Sequence, residues 1–255
     1  MNRLSTDELR FFKREGYLIK RGVMDPELTA RARKRLWDGA PPRLKRNTPD
    51  TWIGGAPGGG FSWKFREPGD EDWMIEMLAT NATVWGWAEQ FLGKGTLVQP
   101  DRIRGIYCRM PEGNHPEAPL TCHTDGHPFH LGVVGLIDHV PPNGGGFTVW
   151  PRSHRAFYQA YKQRYNSGER AENYDEQIEY FNGQPSVDCH GDPGDIVFWH
   201  HRTAHMARPN RSRQIRQAVL YDFRKLDLEE TQYEPPHEDM WLDWSDKMQA
   251  TDIEG

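Results

Sequence analysis

Eleven histidines are more than a chain of 255 residues needs for structure, and they gather in two runs, HTDGHPFH at 123–130 and HHRTAH at 200–205. In a strand, alternate side chains share a face, so His123 and Asp125 project together while Thr124 opposes them. An imidazole and a carboxylate side by side, joined by one distant histidine, make the two-His-one-carboxylate set that leaves three positions open on non-haem Fe(II). His205 is the best third ligand, because the PGDIVFWHH strand before it gives the chain a path back to the first pair. His200 and His201 compete with it, but only His205 is followed at the right spacing by PNRS at 209–212 and by Arg216. A buried guanidinium near such a centre has a specific use: its planar fork binds a carboxylate through two charge-assisted bonds, as needed for the far end of 2-oxoglutarate. Arg211 and Arg213 compete for that role, yet both fall in a turn, whereas Arg216 opens a strand-like run.

Other candidates carry bland readings beside the functional ones. His127 shares the face of His123 and Asp125 and could touch substrate or cosubstrate, although a supporting or core histidine fits as well. His130, His139 and His154 read as structural, and Cys122 faces away from the metal pair. Trp63, Lys64 and Arg66 follow the Gly-rich GGAPGGG segment at 54–60 and are candidate substrate contacts, against the alternative of a basic surface loop.

The elements that must position these residues follow from local signals. Ser5 with Glu8 forms a capping box for an opening helix whose apolar face is Leu9, Phe11 and Phe12. A short strand over Tyr17–Lys20 follows, then a helix started by Asp25 and Pro26 and running to about Trp37. Residues 38–69 read as a long irregular segment, and its aromatics (Trp52, Phe61, Trp63, Phe65) favour a lid over a linker. A helix from Asn81 to Leu92 is stopped by Gly93. From Gly95 onward, eight strand-like runs (TLVQ, IRGIYCR, LTCHTD, HLGVVGLIDHV, FTVW, SVDCH, DIVFWHH, RQAVLYDF) have the spacing of a β-sandwich or jelly roll. PPNGGG at 141–146 signals a hairpin, Pro193-Gly194 introduces a strand, and residues 156–183 form a polar, partly helical insertion. The acidic, Trp-containing tail at 226–255 reads as a helix lying on the barrel or as a partner-contacting arm.

Composition bounds the function classes. Hydrophobic residues at 36% and charged residues at 27% exclude a disordered or collagen-like chain. A formal net charge of −5 argues against a nucleic-acid partner. No apolar stretch reaches bilayer length and the N-terminus lacks a signal-peptide core, so a cytoplasmic protein is expected. Three cysteines without CxxC spacing predict neither disulfides nor a cysteine zinc site.

Taken together, four motifs in order resemble the phytanoyl-CoA dioxygenase family of Fe(II)- and 2-oxoglutarate-dependent oxygenases. They are LSTDELRFFKREGYLIKRGVMDPEL at 4–28, HTD at 123–125, NGGGFTVWPRSH at 143–154, and GDIVFWHHRTAHMARPNRSRQIR at 194–216. Two positions depart from the family pattern: Arg152 replaces the glycine of PGSH, and Ala207 stands where a small polar residue is sometimes found. The resemblance implies a mainly β fold with flanking helices around a double-stranded β-helix (cupin-like jelly roll), as one domain over 1–255. Within it, 1–94 holds the N-terminal helices and lid loop, 95–225 the core with its insertion, and 226–255 the tail. It further implies His123, Asp125 and His205 as iron ligands, Arg216 as the partner of the 2-oxoglutarate carboxylate, and O2 as oxidant. Relatives that replace the carboxylate ligand with a small residue halogenate, so Asp125 points to hydroxylation of an unactivated C–H bond, with release of succinate and CO2. The partner is a small molecule, anionic or polar to judge from the arginines and lysines at the barrel mouth, including Arg102 and Arg104. Two alternatives stand: a cupin-like metal enzyme that does not use 2-oxoglutarate, and a non-catalytic ligand-binding member of the fold.

Overall fold

The computed structural model describes residues 3–253. Helix α1 (Thr6–Glu15) begins at a complete capping box, in which the Glu8 amide donates to Ser5 Oγ and the Ser5 amide to Glu8 Oε2, and it ends at the left-handed Gly16. Strand β1 (Tyr17–Lys20) and helix α2 (Pro26–Asp38), capped by Asp25, follow as the sequence predicts. Next come β2 (Ser62–Phe65), the short helix α3 (Asp72–Met77) and α4 (Ala82–Leu92), where Asn81 Oδ1 accepts from the amides of Thr83 and Val84. The remaining strands are β3 (Ile106–Arg109), β4 (Leu131–Leu136), β5 (Phe147–Val149), β6 (Val187–Cys189), β7 (Ile196–His200), β8 (His205–Ala207) and β9 (Arg216–Phe223). Helices α5 (Ser153–Gln159) and α6 (Tyr174–Asn182) occupy the insertion, and α7 (Leu228–Thr231) and α8 (Asp246–Ala250) the tail.

The strands form two antiparallel sheets, six-stranded in the order β1-β7-β4-β9-β3-β2 and three-stranded in the order β6-β5-β8. Their facing sides pack Phe129, Val134, Phe147, Val149, Val197, Trp199 and Ala218 into the jelly-roll interior. Burial on this face is what sets the register, because a one-residue slip would turn every one of these side chains outward. Gly132 of β4 makes room for Trp199: a Cβ there would lie 2.2 Å from the indole ring. The outer face of the larger sheet carries a second core with α1, α2, α3 and α4, while α5 and α6 cover the smaller sheet through Trp150, Phe157, Tyr161 and Phe181. The tail belongs to that second core, since Trp241 and Trp244 are buried against Phe12 and Trp244 stacks on His200.

Several expectations change. TLVQ and LTCHTD are not strands; each contributes a single bridge, Leu97 to Lys225 and His123 to His205. Pro and Gly punctuation on both sides keeps these runs too short to ladder. Conversely, β2 forms inside the segment expected to be irregular, because pairing with β3 overrides a weak local signal. That segment is pinned rather than lid-like at its middle: Trp52 is buried, packs on Trp37, and donates Nε1–H to the Arg213 carbonyl at 3.2 Å. PPNGGG makes a turn, with the Gly144 amide donating to the Pro141 carbonyl, but it joins strands of different sheets. Both edges of β4 are already taken by β7 and β9, so no hairpin partner is left there.

Candidate active site

His123, Asp125 and His205 converge at one end of the interior, with one ligand atom from each lying within 4.8 Å of the others. The His123–His205 bridge does this work: each backbone amide donates to the other's carbonyl, at 3.0 and 2.8 Å, which sets the two rings 4.6 Å apart. His205 Nδ1 lies 2.9 Å from the Thr203 carbonyl, which can only accept, so Nδ1 donates there and Nε2 is the nitrogen left to face the metal position. His205 Nε2 stands 3.5 Å from Asp125 Oδ2. Asp125 Oδ2 is buried without a hydrogen-bond partner among the described residues. A buried carboxylate oxygen left this way is costly in a finished fold, whereas a metal ion would satisfy it. The donor set of two imidazoles and one carboxylate suits iron, so these residues fit the metal that the sequence implies.

Electrostatics keep the triad ready to ligate. Burial and the neighbouring His205 hold the His123 imidazole down at about 4, leaving it neutral near pH 7. Burial opposes ionisation of Asp125, yet His205 and Arg104 outweigh it and keep the carboxyl below its ordinary range. The insertion grips this segment from outside. Ser167 Oγ donates to the Asp125 carbonyl, the buried Arg202 donates to Ser167 Oγ, and Thr124 Oγ1 pairs with Tyr161 OH at 2.5 Å.

The first residue of β9, Arg216, is buried on the strand face shared with Ala218, Leu220 and Asp222. Its Nε donates to the Gly145 carbonyl at 2.8 Å and one terminal nitrogen to the Tyr107 carbonyl at 3.2 Å. Gly145 holds φ +83, and a Cβ there would press on Arg109 and Asn210, so only glycine lets this carbonyl reach the guanidinium. Burial lowers the Arg216 pKa to about 10, which leaves it charged near neutrality. Of its competitors, Arg213 is 75% exposed beside Asp50, and Arg211 donates to the His115 carbonyl and faces Glu112. Asn210 builds the turn between β8 and β9, accepting from Ser212 and donating to the carbonyls of Arg109 and Gln214. The indole Nε1 of Trp199 is also buried without a hydrogen-bond partner among the described residues, with its ring 5.8 Å from that of His205.

A cavity of about 630 Å³ opens from Asp125 outward. It takes in His127, Lys64 and Arg66, but not Trp63, which turns to the other face of β2 and packs against Phe65. Alternation along the strand separates the three. His127 Nε2 lies 2.8 Å from the Arg104 guanidinium and 3.0 Å from Asp222 Oδ2, placed to accept from the first or to donate to the second, and its ring stacks on Phe129. Arg104 forms a two-pronged pair with Asp222, at 2.6 and 2.7 Å, and approaches Asp125 to 3.8 Å. The sequence reading passed over Asp222, although an acid at an inward register of the apolar run RQAVLYDF was a readable signal. Residues 156–183 contribute nothing to this cavity wall.

A jelly roll closed around a His-Asp-His metal triad defines a class of mononuclear metal proteins. The chain belongs within it to the phytanoyl-CoA dioxygenase (PhyH) family, whose model matches residues 12–218. No curated protein matches the chain significantly. Among solved structures it is similar to SnoK, the non-heme alpha-ketoglutarate-dependent carbocyclase of nogalamycin biosynthesis (19% identity, TM-score 0.59, covering 93% of this chain and 95% of that one). It is also similar to EctD from S. alaskensis with 2-oxoglutarate and 5-hydroxyectoine (18%, 0.57, 91% and 79%). The epimerase SnoN in complex with Fe3+, alpha ketoglutarate and nogalamycin RO is a third (20%, 0.55, 92% and 96%). Among the described residues no helix is long and apolar enough to cross a membrane.

Proposed function

We propose that the protein is an Fe(II)- and 2-oxoglutarate-dependent dioxygenase that hydroxylates an unactivated C–H bond of a small polar or anionic molecule, releasing succinate and CO2. The observation that carries this reading is the triad itself, three ligand atoms within 4.8 Å of one another, with a buried Asp125 oxygen that accepts no hydrogen bond among the described residues. Iron and the keto acid, when bound, supply the oxidising chemistry. What the chain's own residues do follows from their placement. His123, Asp125 and His205 would hold the metal. Arg216 offers its remaining donors to the distal carboxylate of the keto acid, and Trp199 Nε1 offers a further donor on the same interior face. Phe147, Phe129 and Trp199 line that interior with apolar surface, which excludes water from the reacting centre. Asp222 and His127 pin Arg104 beside the carboxylate ligand, and Lys64 and Arg66 stand at the mouth where substrate enters. The acidic charge balance and the three buried free cysteines suit a cytoplasmic enzyme.

The test is consumption of 2-oxoglutarate by the iron-loaded protein in air. Succinate formation that needs Fe(II) and rises with a hydroxylated co-product supports the reading. Iron binding with no 2-oxoglutarate consumption under any candidate substrate would count for a metalloprotein of another kind.

A further inference from the structure

Several cations on the surface of this chain meet a carboxylate: Arg10 pairs with Asp7, Arg21 with Asp195, Lys34 with Asp38, and Arg35 with Glu71. The outer wall of the cavity instead gathers four cations on one concave surface. Lys64 and Arg66 at the end of β2, Arg102 in the loop before β3, and Arg224 just past β9 converge on one rim, all exposed. None of them has an ion-pair partner among the described residues, although the chain carries a net charge of −5. Deeper in the same cavity Arg104 is neutralised by Asp222, so the wall is graded from compensated charge beside Asp125 to uncompensated positive charge outside.

Resting on the oxygenase reading above, we infer that this rim is an anion subsite, which binds the substrate through a doubly charged oxyanion group, phosphoryl or dicarboxylate, and aims the rest of it at the His123–Asp125–His205 centre. Three guanidinium forks and one ammonium exceed what a single carboxylate needs, and planar forks match oxyanions with paired donors. A concave wall of one charge sign focuses its field and draws such a ligand in. The volume suits a small molecule that reaches from rim to metal. The subsite is separate from Arg216, which lies inside the barrel and outside this cavity wall.

Calorimetric titration of the metal-free protein tests it, with phenyl phosphate and phthalate as dianionic probes and benzyl alcohol as the neutral control. At least one dianion should bind saturably and benzyl alcohol should not. The affinity should fall with added salt, fall about tenfold or more in an R102E/R224E double variant, and stay unchanged in R216A. Which dianion binds tighter separates a phosphoryl from a dicarboxylate recognition group. The Fe(II)–2-oxoglutarate absorption band, measured on the double variant, should match wild type and so certify its fold. An intact band with no saturable binding of either dianion, or equal binding in the double variant, overturns the subsite alone. Dianion binding that follows this pattern in a protein with no such band supports the subsite and sinks the oxygenase reading.

Discussion

Arg213 and Arg216 are three residues apart and suit opposite tasks. Arg213 is 75% exposed beside Asp50, whereas Arg216 is buried with two of its donors fixed by the Gly145 and Tyr107 carbonyls. Those two bonds hold the guanidinium still, so less rotamer freedom is lost when a carboxylate arrives. A charge-assisted hydrogen bond contributes about 1.5–3 kcal/mol, so Arg216→Ala should weaken 2-oxoglutarate binding by roughly 10- to 100-fold while Fe(II) binding is kept. Equal 2-oxoglutarate affinity in that variant would remove Arg216 from the site. At this scale the convergence of His123, Asp125 and His205 and the burial of Arg216 were legible, because these residues sit in short motifs. The rest depended on registers that spacing does not reveal. Trp63 and Lys64 are adjacent, yet only the pairing of β2 with β3 tells which of them faces the cavity.

Among the elements, the β8–β9 turn does the most to place chemistry. Asn210 is fully buried and its amide makes four hydrogen bonds, two of them donated to backbone carbonyls, Arg109 at the end of β3 and Gln214 within the turn. Asn210→Ala would take this donor from the Arg109 carbonyl, at about 1–3 kcal/mol, and leave the Gln214 carbonyl with Ser212 Oγ. The variant should melt earlier and bind 2-oxoglutarate more weakly than wild type, because the turn sets where β9 begins. An unchanged melting temperature would show that the turn holds without its asparagine. Helices with strong end signals, α1, α2 and α4, were readable from their caps. By contrast, LTCHTD was read as a strand and supplies one bridge. The alternation argument still paired His123 with Asp125, whose ligand atoms do meet at the site. The sheet change at PPNGGG was illegible, because turn residues specify a bend and not the sheet that the next strand joins.

The whole molecule contains a set of buried neutral histidines. His130, His154, His200 and His201 are almost inaccessible, and burial drives each pKa down, to about 3 for His154 and well below the ordinary value for the others. In the unfolded chain each takes a proton below about pH 6.5, so the unfolded state binds more protons there and stability must fall as pH drops. Above that value the penalty is absent. Each such histidine contributes about 1.4 kcal/mol per pH unit once the unfolded form is fully protonated. Thermal melting between pH 7.5 and 5 should therefore show a steep loss below about 6.5, made shallower by His154→Gln. A flat profile would mean that these rings are not held neutral. The tail completes this layer, since Trp244 stacks on His200 and Trp241 packs on both His154 and His200. The most direct test of the central claim is an anaerobic titration of the metal-free protein with Fe(II) and then 2-oxoglutarate, wild type beside Asp125→Ala. The account predicts a visible charge-transfer band of a chelated keto acid in wild type and its loss or strong weakening in the variant. A wild-type protein that binds iron but gives no band, or a variant whose band is unchanged, would contradict it.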